Sequence, residues 1–347
     1  MARQAPSCAA VGAEKAPVNQ PRVAGEKESS AERAMPPIVH PATDNRPDLG
    51  KRPGTGGADR GPAAQNGSMA PREQARHWRY SGLPGVDLLR ARYIDKTFVR
   101  HTHETFVIAA ITDGVDVFHH GGGDQYAGAG SLALINPETP HTGHAQGPEG
   151  WRYGAVYPAV DVIAAIAAET TTIRGTPGFV APVVDDPYTT HLVHQVLRAA
   201  DEGNALAADT LLRVAVTRLL RLNGGPLRQR QVRGAGARIA ARARAVLEER
   251  MADPPSLDRL AAELGTSPFA LLRAFRSAYG LPPHTWLTDA RVRRARRLLD
   301  GGTAPAEAAV AVGFTDQPHL NRHFARIVGV PPGAYRKERT AAAASEG

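Results

Sequence analysis

"FRSAYGLPPHTW", Phe275 to Trp286, returns as "FARIVGVPPGAY", Phe324 to Tyr335, 49 positions further on. Each copy sets a Phe, a Gly five residues later, a Pro-Pro pair and then an aromatic. Two copies are too few for a stacked repeat array. Glycine suits the left-handed residue that ends a helix, and proline suits the first turn of the next one. Each copy is therefore predicted to be the exit of one helix and the entry of another. Working back from the first copy, in "PPSLDRLAAELGTSPFALLRAFRSAYG" Ser256 is predicted to cap a helix with inner face Leu257, Leu260, Ala261 and Leu264. Gly265 can end that helix, and Ser267 caps a second one that opens on Pro268 and buries Leu271, Phe275 and Ala278. The second copy follows suit: "TAPAEAAVAVGF" supplies a helix, Gly313 a turn, Asp316 a cap, and "QPHLNRHFARIVG" a helix with Leu320, Phe324 and Val328 inward. Helix pairs joined by a short glycine turn are helix-turn-helix units.

Between the copies "HTWLTDARVRRARRLLDGG" reads as one helix, with Trp286, Leu287, Ala290, Ala295, Leu298 and Leu299 as packing residues. Its Arg291, Arg293, Arg294, Arg296 and Arg297 are expected mostly to face elsewhere, near a nucleic-acid backbone whose attraction fades as salt rises. The repeat thus marks the ends of two second helices, and a rigid helix fixes their separation.

The 347 residues can hold two or three domains, and an apolar fraction of 42% can build real cores. The net charge of +8 suits a polyanionic partner. From Gly234 to Thr340 there are seventeen Arg/Lys against ten Asp/Glu, so most of the excess lies where the repeat lies. Cys8 is the single cysteine, which excludes an internal disulfide and a cysteine-based zinc site. No run of about 18 apolar residues and no apolar secretory core is present, so the chain is expected in the cytoplasm with no membrane partner.

Residues 1–75 are rich in Pro, Gly, Ala and charge without apolar periodicity and read as a disordered tail. Met69, just before the first patterned segment, is an alternative start of translation to Met1. Residues 76–160 carry short apolar or alternating runs, "VDLLRARYI", "TFVIAAITDG", "VDVFHHGGG", "SLALINP" and "WRYGAVYP", separated by Gly, Asp and Pro turns. They read as an antiparallel β-barrel or sandwich. Residues 161–226 read as helical, with a stripe at Leu212, Val216, Leu219 and Leu220 that either packs on the barrel or joins two chains as a dimer. Residues 227–236 read as a flexible basic linker, and 237–340 as the all-helical domain.

The segment from Ala237 to Arg336, with "LAAELGTSPFALLRAFRSAYGLPPHTWLTDARVRRARRLL" followed by "VGFTDQPHLNRHFARIVGVPPGAYR", resembles the DNA-binding domain of the AraC/XylS family of bacterial transcription regulators. The resemblance implies a domain that places two recognition helices in successive major grooves, about 34 Å apart. It also implies that Phe269, Leu272 and Arg273 in the first helix, and Gln317, Pro318 and Arg322 in the second, match base-reading positions. Arg273 suits guanine and Phe269 or Leu272 a thymine methyl. Arg276 and Arg326 suit a solvated face or a phosphate, and His319 and Asn321 are expected to face outward beside the readers.

"RHTHETFVIAAITDG" and "GAGSLALINPETPHTGHAQG" resemble the cupin-like sensor domain of such regulators and put His101, His103 and His141 on neighbouring strands or their ends. Metal-binding cupins gather three His and a Glu. Glu104 directly follows His103, however, and adjacent strand side chains point to opposite faces, so the two cannot easily share one ion. Three readings stand: a metal site, a metal-free effector pocket of His101, His103, Glu104 and His141, and structural histidines. The pocket is the one expected, with no metal and no cofactor. His119, His120 and His144 read as loop residues, and "HHGGGDQ" as a hairpin rather than a phosphate cradle.

No nucleophile, base and orienter in series is present, so no enzyme is expected. The chain reads as a multi-domain protein: an all-β cupin-like barrel, a helical segment and an all-α double helix-turn-helix domain. The expected function is a sequence-specific transcription regulator binding promoter DNA, with a small-molecule effector, a homodimer, and RNA polymerase as a possible partner. The rivals are a DNA-tethered metal-dependent cupin enzyme and an effector-independent DNA-binding protein.

Overall fold

The structure, a computed structural model, describes residues 73–227 and 234–344. The expected tail and most of the basic linker lie outside the described residues. In chain order the elements are β1 (Gln74–Arg79), β2 (Val86–Tyr93), β3 (Thr97–His101), β4 (Val107–His120), β5 (Gly123–Gly128), β6 (Ser131–Ile135), β7 (His141–Ala145), β8 (Trp151–Pro158), α1 (Val160–Thr170), β9 (Pro177–Phe179), β10 (Val183–Asp185), α2 (Pro187–Asp201), α3 (Ala205–Asn223) and β11 (Gly224–Pro226). The helical domain follows with α4 (Ala235–Glu249), α5 (Leu257–Glu263), α6 (Pro268–Tyr279), α7 (Pro283–Asp300), α8 (Pro305–Ala311), α9 (Gln317–Val328) and α10 (Pro332–Ala344).

The β-domain is a 9-stranded antiparallel sheet of order β1-β2-β8-β4-β6-β10, with β5 and β7 also paired to β4, and β3 to β7. The order runs from β1 to β10 without closing, so the expected barrel is a folded open sheet. Strand β4 holds it together, because its first half pairs β6 and β8 and its second half β5 and β7. "TFVIAAITDG" and "VDVFHHGGG" are therefore one strand and not two. The β4–β8 register shifts between Ile111 and Asp113, and just beyond it Gly114 pairs with Trp151 at φ +70, where a side chain would collide with the Gly150 carbonyl. The hairpin at Gly121 and Gly122 is as expected, but His119, His120 and His144 sit on strands.

Alternation along the strands buries both faces. Leu88, Ile108 and Ala110 join Ile163, Val196, Leu212, Val216, Leu219 and Leu220 of α1–α3 in one core. Their sequence neighbours Leu89, Val107, Ala109 and Ile111 join Phe118 and Trp151 in another. The stripe on α3 thus packs inside its own domain, and β10 returns from the helical segment to pair with β6.

In the helical domain local signals and structure agree. Ser256, Ser267 and Asp316 accept hydrogen bonds from the amides of Arg259, Ala270 and His319. Gly265 and Gly313 take φ of +63 and +88 in the two turns, and Gly280 and Gly329 end α6 and α9 in the left-handed region. Pro283 and Pro332 open α7 and α10, and Trp286 and Tyr335 fold back onto Phe275 and Phe324, edge to face at 5.9 and 5.4 Å. The repeat is one device used twice: a helix stop, a helix start, and an aromatic clasp across them.

Helix α7 serves two cores. Trp286, Leu287 and Ala290 pack with α4–α6, while Val292, Ala295 and Leu299 pack with α8–α10. Each helix-turn-helix unit is thereby fixed to one half of the same rod.

Candidate functional site

On α6, Phe269, Arg273 and Arg276 are exposed and Leu272 is half-buried. The Arg273 guanidinium sits 4.9 Å over the Phe269 ring, which holds an otherwise mobile side chain at the mouth of its turn. On α9, Pro318 and Arg322 are exposed, and Gln317, His319 and Asn321 are half-buried. His319 packs 5.1 Å from Phe314, and the Asn321 Oδ1 is buried without a partner, so these two turn partly inward.

The arginines of α7 are placed otherwise than expected. Arg291 donates to the Met251 carbonyl and closes the loop after α4. Arg293 is buried and pairs with Glu138 at 2.7 Å, Arg296 with Asp87 at 2.8 Å, and Arg297 with both oxygens of Glu104 at 2.9 Å. All three acids belong to the β-domain. Of the five, only Arg294 is exposed without a paired acid among the described residues, so α7 faces the sheet and not a nucleic-acid backbone. Glu104 is not among the residues that wall the cavity, and it lies with His103 past the end of β3, so strand alternation does not govern the two.

Asp87 is the hub of this junction. Its carboxylate accepts from Arg79, Arg296 and Arg339, and Arg339 and Arg79 also reach Asp300. Burial alone would raise its pKa, but Arg339, Arg296 and Arg79 outweigh burial and hold it well below the usual carboxylate range. The Thr102 hydroxyl donates to Asp289 of α7 at 2.6 Å, and the Lys96 ammonium to the Ala325 carbonyl of α9 at 2.6 Å.

Beneath the junction lies a cavity of about 80 Å³. Its walls include His101, His103, His141 and Trp151 from the β-domain, and Arg296 and Val328 from the helical domain. His101 and His141 face each other across the β3–β7 ladder, and the three imidazole centroids stand 4.4 to 5.1 Å apart. Burial lowers the pKa of all three, and for His103 the neighbouring His101 and His141 add to it, so all are neutral at pH 7. Of the four expected pocket residues, the structure brings together the three histidines.

Asp116 also lines the cavity, with Oδ1 unpartnered and a pKa pushed up to about 7 by burial. A carboxyl whose folded pKa is raised stabilises the fold below its unfolded pKa, and that contribution fades as pH rises through the folded value. Asp116→Asn is thus expected to raise the thermal midpoint at pH 8 and leave it unchanged near pH 4. The ceiling is roughly 4 kcal/mol, and partial exposure of the residue keeps the effect below it. Equal shifts at both pH values would contradict this reading.

No local pattern in the sequence marks Asp87, Glu138 or Asp116. The spacing of Asp289, Arg293, Arg296 and Asp300 along one side of α7 is the trace that was there to find.

Comparison with known proteins now bears on these features. Residues 83–216 match the model of the AraC-like ligand binding domain, and residues 260–338 that of a helix-turn-helix domain. The chain belongs to the AraC-type transcription regulators. It is 26% identical over 243 residues to an uncharacterized HTH-type transcriptional regulator, YbfI, of Bacillus subtilis, covering 68% of this chain and 86% of that one. It is 34% identical over 87 residues to the HTH-type transcriptional regulator MtrA of Neisseria gonorrhoeae, covering 25% of this chain and 29% of that one. Among solved structures, ToxT from Vibrio cholerae aligns over 77% of this chain and 98% of its own at 12% identity and a TM-score of 0.46. In this AraC-type regulator, then, a ligand-binding β-domain and a DNA-binding helical domain meet over a cavity that both of them line. Among the described residues no helix is long and apolar enough to cross a membrane.

Proposed function

We propose that the chain binds promoter DNA in the cytoplasm through α6 and α9 and that an effector controls this through α7. Phe269, Leu272 and Arg273 read bases from α6, and Gln317, Pro318 and Arg322 from α9. Arg276, His319 and Asn321 support them at the phosphates or within the helix. The observation that carries the coupling is that Arg296 of α7 and Val328 of α9 wall the cavity that holds His101 and His141. At about 80 Å³ it is smaller than the roughly 300–1,000 Å³ of ordinary ligand pockets. An effector of usual size therefore has to shift α7 and α9, which gives it different affinity for the docked and undocked states, as any allosteric ligand needs. The protein acts as a regulator and not as an enzyme.

Arg273→Ala and Arg322→Ala are each expected to weaken binding to the cognate site by about 1–3 kcal/mol and to relax base preference at one position. Quantitative binding to selected and random duplexes tests this. Equal losses on both would reduce these residues to phosphate contacts.

Dimerisation, which would raise affinity through effective concentration, has to use a surface other than the buried α3 stripe. Tyr188, Val214 and Leu222 are exposed beside Arg218 on α2 and α3 and offer one. A monomer in sedimentation at micromolar concentration, with and without DNA, would remove the dimer from this account.

A further inference from the structure

His101, His103 and His141 offer three ring nitrogens that lie within 4.8 Å of one another in a buried cavity. Their hydrogen bonds fix the orientation of two. The Nδ1 of His101 is 2.7 Å from the Val99 carbonyl and that of His141 is 3.0 Å from the Thr139 carbonyl. A carbonyl only accepts, so each Nδ1 carries the proton and each Nε2 presents a lone pair. The Nε2 of His101 lies 3.2 Å from the Nε2 of His103. His103 can donate one proton there at most, and no described group donates to the Nε2 of His141.

We infer that these three imidazoles bind one divalent first-row transition-metal ion. Anchoring the far nitrogen on a backbone carbonyl is the arrangement that orients metal-bound histidines and raises their basicity. Three nitrogens at about 2.1 Å from a tetrahedral ion stand about 3.4 Å apart, close to the 3.2 Å between the Nε2 atoms of His101 and His103. All three ligand atoms lie within 4.8 Å of one another, so the His141 ring has to move closer to complete the set. An all-nitrogen set favours zinc, cobalt, nickel, copper or iron over magnesium or calcium. The placement of Glu104 on Arg297 removes a fourth, carboxylate ligand but leaves the three imidazoles intact. Water or an oxygen or nitrogen donor of a ligand would complete the coordination of such an ion. This inference stands whether or not the cavity takes an effector.

The test uses the untagged full chain, stripped with chelator and titrated with Co²⁺ and with Zn²⁺. Expected are one ion per chain, ligand-field absorption of bound Co²⁺, and a rise in thermal midpoint with saturating metal. His103→Gln and His141→Ala are each expected to weaken binding at least about tenfold. A variant with His119, His120 and His144 replaced, on strands outside the cluster, is expected to keep it. Because binding is first measured on the natural chain, a variant that fails to fold does not decide the matter. No retained ion in the natural chain would overturn the inference. Binding that survives in folded His103→Gln and disappears in the surface variant would overturn it too. DNA affinity is not among the readouts, so failure here leaves the regulator reading untouched.

Discussion

Replacing Asp87 with asparagine is expected to release the helical domain from the β-domain. The carboxylate is buried and compensates Arg296 and Arg339 from the helical domain and Arg79 from its own. Removing one partner of a buried pair leaves uncompensated charge and costs about 3–5 kcal/mol. Asp300, which also faces Arg339 and Arg79, offsets part of that. A shift of the docking equilibrium by roughly two orders of magnitude follows from the lower end of the range. Small-angle scattering would register it as a larger radius of gyration, with faster amide exchange along α7. The same dependence should follow pH. The folded pKa of Asp87 is depressed, so its contribution is present above the ordinary aspartate value and is lost as pH falls through the depressed one. Unchanged scattering in Asp87→Asn would show that the junction rests on other contacts.

Phe275→Ala and Phe324→Ala are expected to cost about 3–5 kcal/mol each, because both rings are fully buried and each clasps an aromatic from the following helix. Their consequences should differ. Phe275 belongs to the core of α4–α7, so its loss unseats α6 and leaves docking intact. Phe324 shares a core with Ile327 and Val328, which also wall the cavity, so its loss should loosen docking as well as α9. Thermal unfolding gives the magnitude and scattering the asymmetry. Identical effects of the two on docking would contradict the assignment of two separate cores to one helix.

The helical domain was legible because its information is local. Ser256, Ser267 and Asp316 cap within three residues, Gly280 and Gly329 stop helices where they stand, and the prolines start the next ones. The β-domain was legible as strands but less so as topology. Gly114 is a turn signal in sequence, yet here it pairs with Trp151 inside an unbroken strand, and only the strand opposite decides between the two. Glu104 follows His103 past the end of β3 and pairs with Arg297, and pairing of β3 with β7 brought His141 to His101 over a distance that sequence leaves open. Least legible was the junction. Arg296 and Asp87 are 209 residues apart, and a row of arginines on a helix reads as solvated or nucleic-acid-facing until a buried acid is seen opposite it. The tertiary pairing, not the helix pattern, decides which way α7 faces.

These features converge on α7, a single rod that carries both DNA-reading units and meets the ligand-binding domain over three histidines. Footprinting the full chain on a selected operator tests this arrangement most directly. Two blocks of major-groove protection on one face of the duplex, one helical turn apart, are expected. At saturating protein, Arg273→Ala should relax base preference in one block and Arg322→Ala in the other. Protection confined to a single groove, or base preference relaxed in both blocks by either substitution, would contradict it.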